Sequence, residues 1–300
     1  MSSSSGEPVN RRSWISILGA GLLVALLYAL GAGLAHYLDH GIRWATFAIG
    51  LAWVLAIVAT SATLPTLFQP ASDAQSAQPV GDVQQTGRPT RRRFALGLFL
   101  ALLSVGLILA LGTQTTLDPT AWLFLAGTTF VSLAYTMPPW RLGSSDYSEL
   151  VLAVLLAVLI PGLGFTVLSG QLHRLWVFFT LPFIPLMLAA LMAWHLPRYG
   201  DGSPTAGHFI MARIGWQNGV TVHNLLVLSA FLLLAASSLA GVPWYVAWPS
   251  LLGLPFGLFE IYLLLQIVSG ARPNWRMLRA AAIAMVGITV YSLAFTLWTH

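Results

Sequence analysis

Apolar residues fall in nine long runs, at about residues 14–35, 43–65, 94–112, 119–137, 148–169, 174–194, 221–240, 244–267 and 277–298. Each is close to the roughly 20 residues that carry an α-helix across the hydrocarbon core of a bilayer. The polar breaks alternate in length. Residues 66–93 and 195–220 form long breaks, whereas 36–42, 113–118, 170–173 and 241–243 form short ones. This pattern predicts an all-α integral membrane protein: nine transmembrane helices in one polytopic domain over 13–300, preceded by a disordered, Ser-rich tail over 1–12. Arg11 and Arg12 precede the first apolar run as in a signal peptide. That run is too long and has no small-x-small cleavage site, so it reads as a retained span.

Composition agrees. Hydrophobic residues make up 57% of the chain and charged residues 8%, and the mean hydropathy is +0.78. A soluble domain carries about 25% charged residues, so most of this surface must face lipid. There is no cysteine and no lysine; all 14 cationic side chains are arginine. Disulfides, thiolate chemistry, a Schiff-base lysine and a P-loop lysine are excluded.

The arginines set the topology. With the N-terminus in the cytoplasm, only Arg43 and Arg174 lie outside and the other 12 lie inside. Cytoplasmic loops are enriched in Lys and Arg, so this asymmetry predicts a cytoplasmic N-terminus and an external C-terminus, as in a bacterial inner-membrane protein. It also accounts for the high pI without a nucleic-acid partner. Both long loops then open on the cytoplasmic side.

Polar chemistry concentrates at the ends of these runs. The stretch from Met192 to Gly219 is the longest polar interruption in the last two-thirds of the chain and brings His195, Arg198 and Asp201 within seven residues. Residues 66–93 read either as a connector, with Arg91, Arg92 and Arg93 at anionic headgroups, or as a lid carrying Arg88 to a phosphate. In Y-T-M-P-P-W-R-L-G-S-S-D-Y-S-E-L (135–150) the two prolines end the fourth helix. Ser145 or Asp146 is placed to cap the fifth, with Glu149 in its first turn. Glu260 lies inside the eighth span, where an ionisable group is costly and marks a candidate site; His223 and Asn224 of the seventh span are its candidate partners. Pro182, Pro185, Pro249 and Pro255 predict kinks in the sixth and eighth spans.

Three of these stretches give the chain a resemblance to the UbiA-type intramembrane aromatic prenyltransferases, with the menaquinone-type and bacteriochlorophyll-synthase-like branches the most similar. Residues 135–150 resemble the family's Tyr-x-x-Pro-Pro-x-(Arg/Lys)-Leu turn and the Gly-Glu-Leu helix start after it, with Ser148 in place of the Gly. L-P-R-Y-G-D-G-S-P-T-A-G-H-F-I-M-A-R-I-G resembles the family's Pro-Asp-x-x-x-Asp loop and its following Ala-Gly-Lys-x-Thr-x-x-(Val/Ala)-Arg-Leu-Gly. Q-T-G-R-P-T-R-R-R falls where the family has a Gly-Arg element before its third helix. The resemblance implies a nine-helix bundle around a central apolar cavity that takes an isoprenoid tail. It also implies Mg²⁺ held by two Asp-rich motifs against a prenyl diphosphate.

Both motifs are degenerate here. Where the first should fall the chain reads A-T-S-A-T-L-P-T-L-F-Q-P, without an acid; the next carboxylate is Asp73. In the second, Arg198 takes the first Asp position, Gly202 or Ser203 the second, and His208 stands for the family's Lys. Asp201 and Asp73 remain as weak metal-ligand candidates. An arginine repels Mg²⁺ but pairs directly with an anion, so Arg88, Tyr135, Arg141, His195, Arg198 and Tyr199 form the candidate polar clamp. Glu149, His223, Asn224 and Glu260 are candidate polar groups of the cavity.

Three functions follow. One is a UbiA-like protein without ordinary Mg²⁺-dependent prenyl transfer, which binds an isoprenoid, quinone, carotenoid or chlorophyll tail and docks on a larger respiratory or photosynthetic complex. The second is an active, divergent prenyltransferase acting on an aromatic or chlorin acceptor, with Mg²⁺ required only in that case. The third is a transporter or other polytopic protein with an accidental likeness, against which the halves show no internal repeat and only one charged residue lies well inside a span.

Overall fold

The computed structural model describes residues 9–63, 89–114, 116–137, 139–200 and 210–300; within these, the side chains of 9–17, 62, 89–93, 198–200 and 212 lie outside the description. Thirteen α-helices build the bundle, and no strand occurs among the described residues. They are α1 (Val9–Tyr37), α2 (Trp44–Thr63), α3 (Pro89–Gln114), α4 (Pro119–Thr136), α5 (Ser148–Val154), α6 (Ile160–Ser169), α7 (Arg174–Thr180), α8 (Phe183–Gly200), α9 (Ile210–Ile214), α10 (Trp216–Ala236), α11 (Trp244–Ala247), α12 (Leu254–Val268) and α13 (Trp275–Thr299).

Among the described residues eight helical stretches are long and apolar enough to cross a membrane: Leu18–Tyr37, Trp44–Ser61, Phe94–Gln114, Ser148–Ser169, Arg174–Pro197, Trp216–Ala240, Trp244–Val268 and Trp275–Thr299. The ninth expected span forms as α4 but is more polar. Thr128 and Ser132 on it are buried, and it packs against α2 and α6 within the bundle.

Prolines divide the spans. Pro161 lacks an N–H and its ring crowds the carbonyl four residues back, so the helix widens to a π-turn over Leu155–Leu159 between α5 and α6. Pro182 separates α7 from α8. Pro249 lies in the 3₁₀ segment Trp248–Gly253 and Pro255 in the first turn of α12. The breaks expected at Pro182 and Pro249 thus have visible counterparts, whereas Pro255, at a helix start, needs no kink. Pro185 likewise sits in the first turn of α8, where its missing N–H costs little.

Several boundaries differ from the sequence expectation. The helix after Pro182 runs through Pro197 to Gly200, so His195 is helical and the break does not begin there. Residues 210–214 are helical and α10 starts at Trp216, which shortens the expected 195–220 loop from both sides. α3 begins at Pro89, so Arg91–Arg93 belong to its first turns. α1 begins at Val9, inside the expected tail.

The core is set by close helix contacts. α1 lies between α6 and α13. A Cβ on Gly31 would collide with the Pro161 carbonyl and approach the Phe165 amide nitrogen to 2.9 Å; one on Gly164 would collide with the Tyr28 carbonyl oxygen. Small residues let helix backbones meet where lipid supplies no hydrophobic drive between helices. Trp298 Nε1 donates to the Ala29 carbonyl at 2.9 Å and ties the end of α13 to α1. α3 packs chiefly on α2 and exposes Phe94, Leu98, Phe99, Leu102 and Leu109 outward, as a lipid-facing helix would. A second, smaller apolar cluster gathers Met192, Leu196, Met211, Val220, Leu264 and Leu278, near the end where α8, α9, α10, α12 and α13 bring the arginine-rich connections together.

Candidate functional site

At the arginine-rich end, α4 stops at a turn whose shape the sequence dictates. Tyr135 packs under Gly143, where a Cβ would come within 2.8 Å of the Tyr135 carbonyl oxygen and 2.9 Å of its ring. Arg141 takes the left-handed conformation (φ 39°), uncommon outside glycine. Its amide donates to the Met137 carbonyl and its own carbonyl accepts from the Ser144 amide, at 3.0 and 2.8 Å. The Arg141 side chain is exposed at this mouth.

The turn then feeds α5, whose expected cap does not form. The N-cap position of α5 is Tyr147, whose side chain makes no cap hydrogen bond; the Ser145 hydroxyl bonds back to the Leu142 carbonyl, and Asp146 faces Arg213 of α9 at 3.5 Å. The Tyr147 hydroxyl accepts from the same guanidinium at 3.0 Å, which also lies 5.5 Å from the Tyr147 ring centroid. An acidic side chain near a helix start is often a cap; here an arginine 67 positions further along the chain competes for it.

Glu149 is the centre of the arrangement. Only 1% exposed, it lies with Oε1 3.0 Å from His195 Nδ1 of α8 and with Oε2 accepting the Ile210 amide of α9 at 3.3 Å. One carboxyl group therefore holds the chain just before and just after residues 201–209. His195 is 15% exposed, which leaves the ring open to the mouth. On its neighbour Trp194, the Arg279 guanidinium of α13 lies 5.2 Å from the ring centroid, a cation–π arrangement.

Deeper, His223 Nε2 of α10 lies 3.2 Å from Glu260 Oε1 of α12, both fully buried. The His223 Nδ1 lies 3.3 Å from Asn224 Oδ1. This is the pairing for which the sequence offered His223 and Asn224 as partners. The structure thus brings together Glu149 with His195 and Glu260 with His223, and sets Tyr135 in the turn that carries Arg141. Arg88, Asp73 and Asp201 lie outside the described residues. Arg198 and Tyr199 fall in the last turn of α8, with side chains outside the description. Arg213 and Tyr147 were not singled out in the sequence; Arg213 stood in the quoted A-R-I-G stretch, and only its position three residues after Ile210 hinted that it faces the same turn as Glu149.

Among the described residues the donor set does not form a site for a pair of magnesium ions. Mg²⁺ takes hard oxygen ligands, mostly carboxylates and water. Asp146 is engaged by Arg213, and Glu149 by His195 and the Ile210 amide. Among the described residues no three His, Asp or Glu side chains converge in a metal-holding group, and residues 59–70 contain no acid at all.

No family model matches the chain, and no curated protein sequence does. Its fold does match solved structures. A UbiA homolog from Archaeoglobus fulgidus bound to GPP and Mg²⁺ superposes with a TM-score of 0.57 at 16% identity, covering 94% of this chain and 97% of that one. A digeranylgeranylglyceryl phosphate synthase gives 0.60 at 12% identity, over 96% and 100%. A UbiA homolog from Aeropyrum pernix, without ligand, gives 0.55 at 13% identity, over 92% and 95%. The chain is therefore an integral membrane protein with the UbiA-type prenyltransferase fold along nearly its whole length.

Proposed function

We propose that this chain uses the UbiA-type fold to bind an isoprenoid-tailed lipid, of the quinone, carotenoid or chlorophyll-tail class, and does not carry out ordinary Mg²⁺-dependent prenyl transfer. One observation carries the reading. The two described carboxylates at the arginine-rich end, Asp146 and Glu149, are bound to cationic or N–H partners within the protein. The expected metal-holding positions meanwhile read as an acid-free stretch and as Arg198. Arg88, Arg141 and Arg198 then contact the polar head, and the bundle takes the tail. Docking on a larger membrane complex belongs to the same reading; the outward apolar face of α3 is available for it.

The test is purified protein in mild detergent, incubated with radiolabelled farnesyl and geranylgeranyl diphosphates with and without Mg²⁺, together with mass spectrometry of co-purified lipid. The expected result is no Mg²⁺-stimulated product and a retained isoprenoid-tailed molecule. Arg198→Ala should weaken retention about tenfold, since a hydrogen bond to a charged group contributes about 1.5–3 kcal/mol. Mg²⁺-stimulated turnover would overturn the proposal in favour of an active divergent prenyltransferase, with Asp73 and Asp201 as the first ligands to examine. That second reading draws support from the A. fulgidus likeness, whose structure holds GPP and Mg²⁺.

Orientation is part of the proposal: the arginine-rich end faces the cytoplasm of a bacterial cell, following the positive-inside bias. The cysteine-free sequence makes this simple to test. A membrane-impermeant maleimide should label Gly41→Cys in intact cells and Ala271→Cys only after permeabilisation; the reverse pattern would invert the topology.

A further inference from the structure

Glu260 poses a chemical problem that the fold leaves open. His223 lies seven residues beyond the start of α10 and Glu260 eight residues before the end of α12, so at 1.5 Å per residue both lie about 10–12 Å inside the arginine-rich end. The two side chains are fully buried. Around them α12 faces apolar neighbours: one turn back, a Cβ on Gly257 would meet Val227 Cγ1, Met285 Sδ and Phe231 Cε2 at 2.8–3.1 Å, and one turn on, Leu264 belongs to the second apolar cluster. The pair is a polar layer between the main core and that cluster.

His223 satisfies only one carboxyl oxygen. Glu260 Oε2 is buried and has no hydrogen-bond partner. On the packed helices, Thr289 donates to the Met285 carbonyl, and Asn224 lies against the far nitrogen of His223. A buried ion pair is seldom more stabilising than apolar residues of its size, and a carboxyl oxygen left unpaired adds a further cost. Apolar residues of the same size would serve folding at least as well, and the unpaired oxygen keeps its full capacity for a hydrogen bond to a ligand.

We infer that the unpaired Glu260 oxygen, held by His223, is an interior binding site for a neutral hydroxyl or carbonyl oxygen of the bound lipid, distinct from the arginines at the mouth. A carboxyl–imidazole pair shares its protons in more than one arrangement. With Oε2 unprotonated it accepts from an O–H; with Oε2 protonated it donates to a C=O. It therefore suits an alcohol, phenol or quinone oxygen, and it repels a phosphate. No covalent step is involved. This deepens the preceding reading, on which it rests, by favouring oxygen-bearing isoprenoids over pure hydrocarbons and diphosphates.

The experiment measures binding to the full-length protein in detergent, by quenching of its tryptophan fluorescence, of two probes: geranylgeraniol and the hydrocarbon lacking only its hydroxyl oxygen. The alcohol is expected to bind at least tenfold more tightly, and Glu260→Leu to abolish that preference while leaving hydrocarbon binding unchanged. Glu260→Leu leaves His223 buried without its partner, so Glu260→Leu/His223→Leu, which removes the pair as a whole and is expected to fold, is measured beside it and should lose the same preference. As a second check on a variant that keeps a hydrogen-bonding partner for His223, the alcohol should shift a carboxyl infrared band of the wild-type protein that is missing in Glu260→Gln. Hydrocarbon binding with no gain from the hydroxyl, or a gain that survives Glu260→Leu, would overturn this inference alone. Failure of both probes to bind would overturn the lipid-binding reading as well.

Discussion

A Gly164→Leu chain is expected not to assemble a stable bundle, whereas Gly106→Leu is expected to fold as the wild type does. The difference lies in what the added side chain meets. On α6, a Cβ at position 164 strikes the Tyr28 carbonyl and comes within 3.3 Å of the Ala32 amide, both backbone. Across the same contact, Gly31 already lies against the Pro161 carbonyl. Backbone cannot swing aside as a side chain does, so α1 and α6 must separate. Overpacking costs about 1–3 kcal/mol even where side chains can adjust, and total stability is about 5–15 kcal/mol. Separating α1 from α6 also strains the Trp298 bond to Ala29 that closes the bundle on its other side. On α3, a Cβ at Gly106 meets nothing within 4 Å and the added leucine faces lipid. Detergent-resistant folded protein, measured as the fraction staying monodisperse after heating, should fall sharply for Gly164→Leu and stay within experimental spread for Gly106→Leu. Equal behaviour would show that the α1–α6 contact is not the tight one.

The spans were legible because lipid imposes a simple length rule: a helix of about 20 residues must be apolar throughout. Where a helix did not need to satisfy that rule, the sequence misled. The polar stretch from His195 onward read as a loop, yet α8 continues to Gly200 with Pro197 buried within it. The π-turn at Leu155–Leu159 left no trace, since every residue in it is apolar and hydrophobic period cannot report a change of register in a uniformly apolar run. α9 is only five residues long, too short for any period. Pairing in the site followed the same logic. Glu260 is a lone carboxyl inside a span, so few polar residues could reach it and His223 was among them. Glu149 sits among polar residues at a helix start, where a cap is the ordinary expectation; its partners lie 46 and 61 positions away, and nothing local points to them.

The second large effect is expected at Glu149. Glu149→Leu removes the acceptor of two groups at once, the His195 ring nitrogen and the Ile210 amide. His195, partly exposed, can turn to water. The Ile210 amide is part-buried against the Glu149 carboxyl, and a donor shielded from water and left unpaired costs about 1–3 kcal/mol. As 1.4 kcal/mol is tenfold in an equilibrium, hydrogen exchange at the Ile210 amide should accelerate by about ten- to a hundredfold, with Met211 and Arg213 following as α9 loosens. Glu149→Gln is the informative contrast. Its carbonyl can accept from Ile210 while its NH₂ donates to His195 Nδ1, provided that nitrogen carries no proton. The amide should then stay protected, and nitrogen NMR of His195 should report the Nε2–H tautomer. Arg213→Ala should do less than Glu149→Leu, although Arg213 touches both Asp146 and Tyr147. Those contacts are solvent-exposed, and exposed ion pairs contribute about 0–1 kcal/mol. If Arg213→Ala instead exposed Ile210 as strongly as Glu149→Leu, the segment after residue 209 would be anchored by the surface arginine, and the buried carboxylate would be free to act on a ligand.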